Sequence, residues 1–407
     1  MKEISGGVCA PKGFKAGGIW CGIKASSKKR DLALIYSEKS CTTAAMFTTN
    51  RVKAACVLVS QEHVANGKLH AIIANSGNAN ACTGEAGLAS ARRMAELAAD
   101  EFAISPKDVA VASTGVIGVP LPIAAIENSV GALANSLRGD EAGHSAALEA
   151  IMTTDTRKKE VSLEIDLGGV AVRIGGMVKG AGMIHPNMAT MLCFLTTDAA
   201  ISRELLEKSL RQAVRRSFNR VTVDGDTSTN DTVIILANGT SGAAPIATEN
   251  ADYAIFAEAL EAACVKLARA LARDGEGATK LVTVTVCGAD SEQAAEVLAK
   301  SVAASSLVKT ACFGADANWG RILCAMGYSG AEFNPATTSV SFKSPAGEIA
   351  VFGSGQPLGF CENEAKKILS EEEIEINVNT GGGSGTATAW GCDLTYDYVK
   401  INGDYRT

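Results

Sequence analysis

The sequence predicts an α+β fold, with layered sheets packed face to face and helices outside, and three observations carry that expectation. Short apolar runs of strand length recur along the whole chain. Long stretches between them repeat with helical periodicity. No low-complexity linker divides the chain, so the elements belong to one layered body or to two or three adjoining cores. The 407 residues, 47% hydrophobic and 20% charged, supply enough apolar material for such interiors.

Taken in order, strand-like runs lie at 32–36 (LALIY), 56–59 (CVLV), 71–74 (AIIA) and 109–112 (VAVA). The segment 161–174 reads as a hairpin, with SLEIDLGG and VAVRIGGMV delivering the chain to a glycine-rich turn. Further strands follow at 191–195 (MLCFL), 233–237 (VIILA), 281–287 (LVTVTVC) and 374–378 (IEINV). In the last, Ile374, Ile376 and Val378 alternate with polar residues, the pattern of a strand with one buried face. Helices are expected at 88–102, at 201–218 and at 252–273. In the second, Leu206, Leu210 and Ala213 with Val214 form one stripe. In the third, Phe256, Leu260, Cys264, Leu267 and Leu271 align, and Asp274 and Gly275 signal its end. No G-x-G-x-x-G follows a strand in the setting a doubly wound dinucleotide fold needs, and no period of 20–50 residues repeats.

Composition excludes several function classes. A net charge of −6 argues against a nucleic-acid or anionic-membrane surface. The N-terminal stretch has no apolar core of a secretory signal, and the apolar window at 111–126 is short and interrupted by Pro120 and Pro122. Twelve cysteines include no C-x-x-C pair and mostly sit in apolar runs, which fits reduced thiols in the cytoplasm. Four histidines offer little for a zinc site or a Ser-His-Asp triad, so no metal is expected.

Residues 175–198, GGMVKGAGMIHPNMATMLCFLTTD, are the most informative segment. A glycine-rich run ends at Ala189, and Thr190 opens an apolar strand. A threonine hydroxyl is a poor nucleophile without a base, and an N-terminal threonine carries its own base in its α-amine. Gly175, Gly176, Gly180 and Gly182 suit an upstream backbone in strained or positive-φ conformations. The alternative is a loop entering a buried strand that begins with Thr. Thr114 and Gly115, in VASTGVIGV, form a turn whose N–H groups are suited to an oxyanion hole, or to nothing more than a turn. Lys179 stands eleven residues before Thr190, placed for a substrate carboxylate or for solvent. Glu276, between two glycines past a helix end, suits an ammonium group or an ordinary loop. Thr153, Thr154 and Thr156 cluster hydroxyls beside Asp155, suited equally to capping a helix or a turn. DGDTSTNDT lacks the downstream glutamate of a calcium loop, and GGGSGTATAW lacks the G-K-[ST] of a phosphate loop.

Together these segments resemble the ornithine acetyltransferase family, the bifunctional glutamate N-acetyltransferases of arginine biosynthesis. The resemblance spans nearly the whole chain: VASTGVIG, MTTDT, KGAGMIHPNMATML, DGDTSTND, RDGEGATK, GADANWGRI and ATAWGCDLTYDYVKIN fall in the family's order. It implies self-cleavage between Ala189 and Thr190, giving an α chain of residues 1–189 and a β chain of residues 190–407 that associate, as a heterotetramer of two each. It also implies a fold related to the N-terminal-nucleophile hydrolases. By position Thr190 is the nucleophile and Thr114 and Gly115 the oxyanion-hole pair. Thr153, Lys179, Thr190, Glu276, Asn402 and Thr407 match the substrate-binding positions. The chain departs at Ala317, where the family commonly has proline, and at Gly403, where alanine is usual. The implied reaction moves acetyl from N2-acetylornithine to glutamate, needs no cofactor and admits acetyl-CoA as a second donor. Two rival readings are an N-terminal-threonine amidase or aminopeptidase and a non-enzymatic amino-acid-binding protein.

Overall fold

The computed structural model of the chain describes residues 1–185 and 191–404. Two compact units are present. The first contains nine strands: β1 (Lys2–Glu3), β2 (Phe14–Ile19), β3 (Leu32–Phe47), β4 (Lys68–Asn78), β5 (Val109–Val116), β6 (Lys159–Leu167), β7 (Val170–Lys179), β8 (Leu192–Thr197) and β9 (Thr232–Ala237). Its helices are α1 (Ala55–Val64), α2 (Gly84–Phe102), α3 (Ile123–Glu127), α4 (Val130–Asn135), α5 (Glu141–Ile151) and α6 (Arg203–Arg216), and α7 (Ala251–Arg273) begins there. The strands form one sheet in the order β1-β6-β7-β8-β9-β3-β4-β5, with β2 also on β3.

The long strand β3 makes this sheet two-winged. Its first part pairs with β2 and β4, its last part with β9, and its register with β4 shifts between Tyr36 and Cys41. Ile35, Ile72 and Ala110 of one wing share a buried cluster with Phe194, Ile234 and Leu236 of the other, and Ala147, Leu148 and Ile151 of α5 join it. The expected layering takes this form. On the opposite face of the first wing, Leu34, Ile73 and Val111 pack with Val57, Met94 and Ala98 of the outer helices. Strands with both faces covered read as unbroken apolar runs, which is why β8 (LCFLTT) and β9 (TVIILA) are buried at every residue.

Strand β8 lies between β7, antiparallel, and β9, parallel. Its neighbours therefore come from both sides of the 189/190 bond, as the apolar strand after Thr190 requires. The hairpin expected at 161–174 is β6 and β7. Gly175 and Gly176 stand inside β7, however, and not in a turn. A Cβ on Gly175 would come 2.0 Å from the Gly7 carbonyl oxygen, so close packing rather than backbone strain calls for glycine there.

One expected strand is a helix. CVLV at 56–59 belongs to α1. A short apolar run does not distinguish a strand from a buried helix. Cys56, Val59, Ser60 and His63 lie at helical spacing on the buried side, and Ser60 Oγ both donates to Val111 O (2.6 Å) and accepts from Val111 N (2.8 Å) on β5.

The second unit holds a six-stranded sheet built from β10 (Leu281–Ala289), β11 (Ser339–Ser344), β12 (Gly347–Gly353), β13 (Gln356–Pro357), β14 (Glu373–Asn379) and β15 (Gly385–Cys392), in the order β13-β12-β11-β14-β10-β15. Helices α8 (Glu292–Ala304), α9 (Ser306–Phe313), α10 (Trp319–Gly327) and α11 (Glu362–Leu369) share its core, and α12 (Tyr396–Gly403) follows. Ile374, Ile376 and Val378 of β14 face that core as their alternation predicts. Among the described residues no helix is long and apolar enough to cross a membrane.

Phe194 is 1% exposed in the cluster shared by both wings. Phe194→Ala is expected to cost about 3–5 kcal/mol through lost burial and a residual cavity. The check is a lower thermal midpoint and a lower denaturant midpoint with unchanged slope.

Candidate active site

Thr114 and Gly115 sit near the end of β5, where its parallel pairing with β4 becomes irregular around Gly77 and Asn78. Gly115 has φ +132°, and a Cβ there would lie 2.4 Å from Gly77 C. Only glycine lets the two backbones meet this closely. The strand end is fixed from beneath: Asn230 Nδ2 donates to Ser113 O (2.8 Å) and Ala79 O (2.7 Å), and Ser113 Oγ donates to Asn75 Oδ1 (2.6 Å). Lys179, the last residue of β7, is 4% exposed and its Nζ donates to Thr114 Oγ1 at 3.1 Å. Lys179 is also the register partner of Leu192, the first residue of β8. The chain therefore leaves β7 at this ammonium and returns in β8 beside it.

A buried carboxylate supports this pair. Asp155 accepts from Lys159 Nζ (2.6 Å), Gly180 N (2.7 Å) and Thr153 N (2.9 Å). Burial alone would raise its pKa, but the positive charges of Lys179 and Lys159 outweigh that and bring it down to about 2. The carboxylate thus stays ionised and ties the turn at Thr153 to the residue after Lys179. Lys24 stands near the same group: burial pushes its ammonium down to about 8, against the pull of Asp31 and with the push of Lys179. Its Nζ donates to Met152 O at 2.6 Å. Trp20, Lys24, Met152, Thr153 and Asp155 are among the residues that line a cavity of about 590 Å³, of the size that takes small ligands.

The second unit contributes a separate group. Glu276 is 8% exposed, and Asn402 Nδ2 on α12 donates to its Oε2 at 2.8 Å. Its backbone N–H donates to Ala181 O (2.8 Å), and a Cβ on Gly182 would meet Glu276 Oε2 at 2.3 Å, so Gly182 is a matter of space. Asp224 holds the same stretch, accepting from Met183 N (2.5 Å) and Ile184 N (2.8 Å). Burial raises the Asp224 pKa despite those N–H donors. Gly403, one of the two departures from the expected pattern, closes α12 beside Asn402.

The structure thus brings Thr114, Gly115, Lys179 and, through Asp155, Thr153 together in the first unit, and Glu276 with Asn402 in the second. Ala189, Thr190 and Thr407 lie outside the described residues. Sequence reasoning named Asp155 only as a neighbour of threonines and passed over Asp224 and Asp231. Their signal was present in MTTDT and DGDTSTNDT, where short acidic side chains lie among turn residues whose backbone N–H groups they can hold. Among the described residues no group of three or more His, Cys, Asp or Glu is arranged to hold a metal.

Because the Asp155 pKa is depressed in the folded state, its contribution is present above the unfolded value near 3.8 and is lost as pH falls toward 2. The stability gap between the parent chain and Asp155→Asn is therefore expected to narrow by about 2 kcal/mol between pH 5 and 2. Denaturant titrations of both chains at each pH provide the check.

Comparison with known proteins assigns the chain to a family. The ArgJ family matches residues 15–407. The arginine biosynthesis bifunctional protein ArgJ of Symbiobacterium thermophilum is 51% identical over 408 residues, covering 100% of both chains. That of Thermotoga neapolitana is 48% identical, covering 98% of this chain and 99% of its own. A crystal structure of ArgJ from Bacillus halodurans has 50% identity and a TM-score of 0.50, and the match covers 52% of this chain and 97% of the solved one. On a match of this length and identity, the chain belongs to the ArgJ family.

Proposed function

We propose that this protein is an acetyltransferase of arginine biosynthesis that moves an acetyl group from N2-acetylornithine to glutamate through an ester on Thr190. It first cuts itself between Ala189 and Thr190, into residues 1–189 and 190–407. The observation that carries this reading is the register of β7 and β8. Leu192 pairs with Lys179, whose ammonium holds Thr114 Oγ1 at 3.1 Å. Thr190 is two residues from Leu192, so the chain allows at most about 7 Å between their Cα atoms. A nucleophile on Thr190 is thereby confined to the neighbourhood of a buried ammonium and a strand end shaped by Gly115. Further support comes from the Bacillus halodurans ArgJ chain, which is nearly all matched yet corresponds to about half of this one.

In this reading the Thr190 hydroxyl attacks the acetyl carbonyl and its proton passes to the Thr190 α-amine. The growing oxyanion is held at Thr114 and Gly115, within the field of Lys179. Ornithine leaves, glutamate enters, and its amine takes the acetyl group from the ester. Glu276, with Asn402 as a neutral partner, suits the ammonium of ornithine, while Thr153 and Thr407 complete the substrate set. Acetyl-CoA is a second donor to the same threonine, and the exchange needs no other cofactor. The two chains stay associated because β8 pairs with β7 from the first and β9 from the second, and the resemblance implies two copies of each. All twelve cysteines are free thiols, seven of them buried, which supports a reducing cytoplasmic setting.

Thr190→Ala is expected to remain a single chain of 41.9 kDa and to lose acetyl transfer. Denaturing mass spectrometry and an acetylornithine–glutamate assay read the two outcomes. Initial rates of the parent enzyme are expected to give parallel double-reciprocal lines. Acetate release without glutamate would instead point to an amidase.

A further inference from the structure

Between β2 and β3 the chain reads KASSKKR over residues 24–30, four cations in seven residues with no acid among them. Such a run repels itself, and gathering it in one place calls for a reason. The fold does gather it. Asp31, wholly buried, accepts Cys21 N (2.6 Å) with one oxygen and Lys24 N (2.8 Å) with the other, and its own N–H donates to Ile19 O (2.8 Å). The loop is closed at its base, and Lys24, Lys28, Lys29 and Arg30 all line the cavity of about 590 Å³ beside α5. Two carboxylates line it as well, and both are already paired. Glu149 is held by Arg30 Nη1 (2.6 Å) and Lys158 Nζ (2.6 Å), and Asp155 by Lys159 and two backbone N–H groups. Lys24 Nζ donates to neutral carbonyls, Met152 O (2.6 Å) and Arg30 O (3.2 Å), and burial disfavours its ammonium. The lining therefore carries an excess of positive charge. One ring completes it: Trp20 is 44% exposed, with its indole Nε1 donating to Lys24 O at 3.3 Å. That bond fixes the indole and leaves ring surface open to a flat partner.

We propose that this cavity binds a phosphorylated adenosine, the nucleotide end of a coenzyme A thioester, with the purine on Trp20 and the phosphates on Lys24, Lys28 and Lys29. The assignment rests on the reading above that acetyl-CoA is a second acetyl donor. Three properties of the cavity select this ligand class together. Its volume is in the range that takes drug-sized ligands. Its three lysines exceed what a single carboxylate can use, and lysines meet phosphates as point charges. A fixed, half-open indole stacks on a base, a contact that an amino acid without a ring cannot return. The cavity also adjoins the site already described. Asp155 on its wall accepts Gly180 N (2.7 Å), next to Lys179, whose ammonium meets Thr114 Oγ1 at 3.1 Å. The nucleotide is held at the loop while the thioester arm runs along Asp155 toward that pair.

The test pairs a binding measurement with two acetyl donors, on the purified parent protein and on the double variant Lys28→Glu with Lys29→Glu. Both side chains are exposed and stand outside the proposed catalytic groups. Calorimetric titration with adenosine 3′,5′-bisphosphate requires no acetyl transfer. The bisphosphate is expected to bind the parent and to lose at least about tenfold in affinity in the variant. No binding to the parent, or equal affinity in both, would overturn the cavity assignment. Trp20→Leu is expected to weaken the bisphosphate as well, and an unchanged affinity would overturn the stacking contact. In the double variant KM for acetyl-CoA is expected to rise at least about tenfold, while acetylornithine–glutamate exchange stays within about twofold of the parent. A loss shared by both donors would overturn the assignment, because it makes the loop a structural element only. S-acetylpantetheine, which lacks the nucleotide, is expected to serve parent and variant equally. Acetyl-CoA that acetylates no glutamate in the parent would sink the second-donor reading instead, and the bisphosphate titration then decides the cavity as a site for free nucleotide.

Discussion

Asp155 keeps a negative charge where water does not reach, and the first unit's site is organised around it. Its oxygens hold Lys159, the Gly180 N–H and the Thr153 N–H. An isolated buried charge of either sign is prohibitive, and here the acid and its two neighbouring ammoniums make one another tolerable. Lys179, at 4% exposure, is directed at Thr114. An uncompensated lysine at that depth would shed its proton and lose the property that suits it to an oxyanion or a carboxylate.

The carboxylates of this protein divide the labour by environment. Asp155, among cations, is held at about 2, while Asp224 and Asp231, offered chiefly backbone N–H groups, are displaced upward by burial. Asp224 holds the N–H groups of Met183 and Ile184, and Asp231 holds that of Met191.

Much of this was legible from residue pattern. The hairpin at 161–174, β8, β9, β10, β14 and α7 all follow from periodicity and turn residues. The run CVLV failed because four apolar residues carry no period, and only Ser60 and His63, lying beyond it, reveal the helical face. Strand β15 was hidden by its glycines and threonines, although Ala387 and Ala389 alternate with Thr386 and Thr388 against β10. Thr114, Lys179 and Glu276 could be named, but Asp155 as the centre of the first group could not. Its importance arises from contacts with Lys159 and Gly180, and side-chain burial of a short acidic residue leaves no trace in local sequence.

The central position of β8 also sets an order of events. A strand paired on both sides across the proposed cleavage bond draws its two flanks from different segments, β7 before that bond and β9 after it. On the proposed reading, assembly precedes scission, and the break falls in a body already complete. Such a cut would act as a stamp of correct folding, giving a free terminus only to a chain that has closed its sheet.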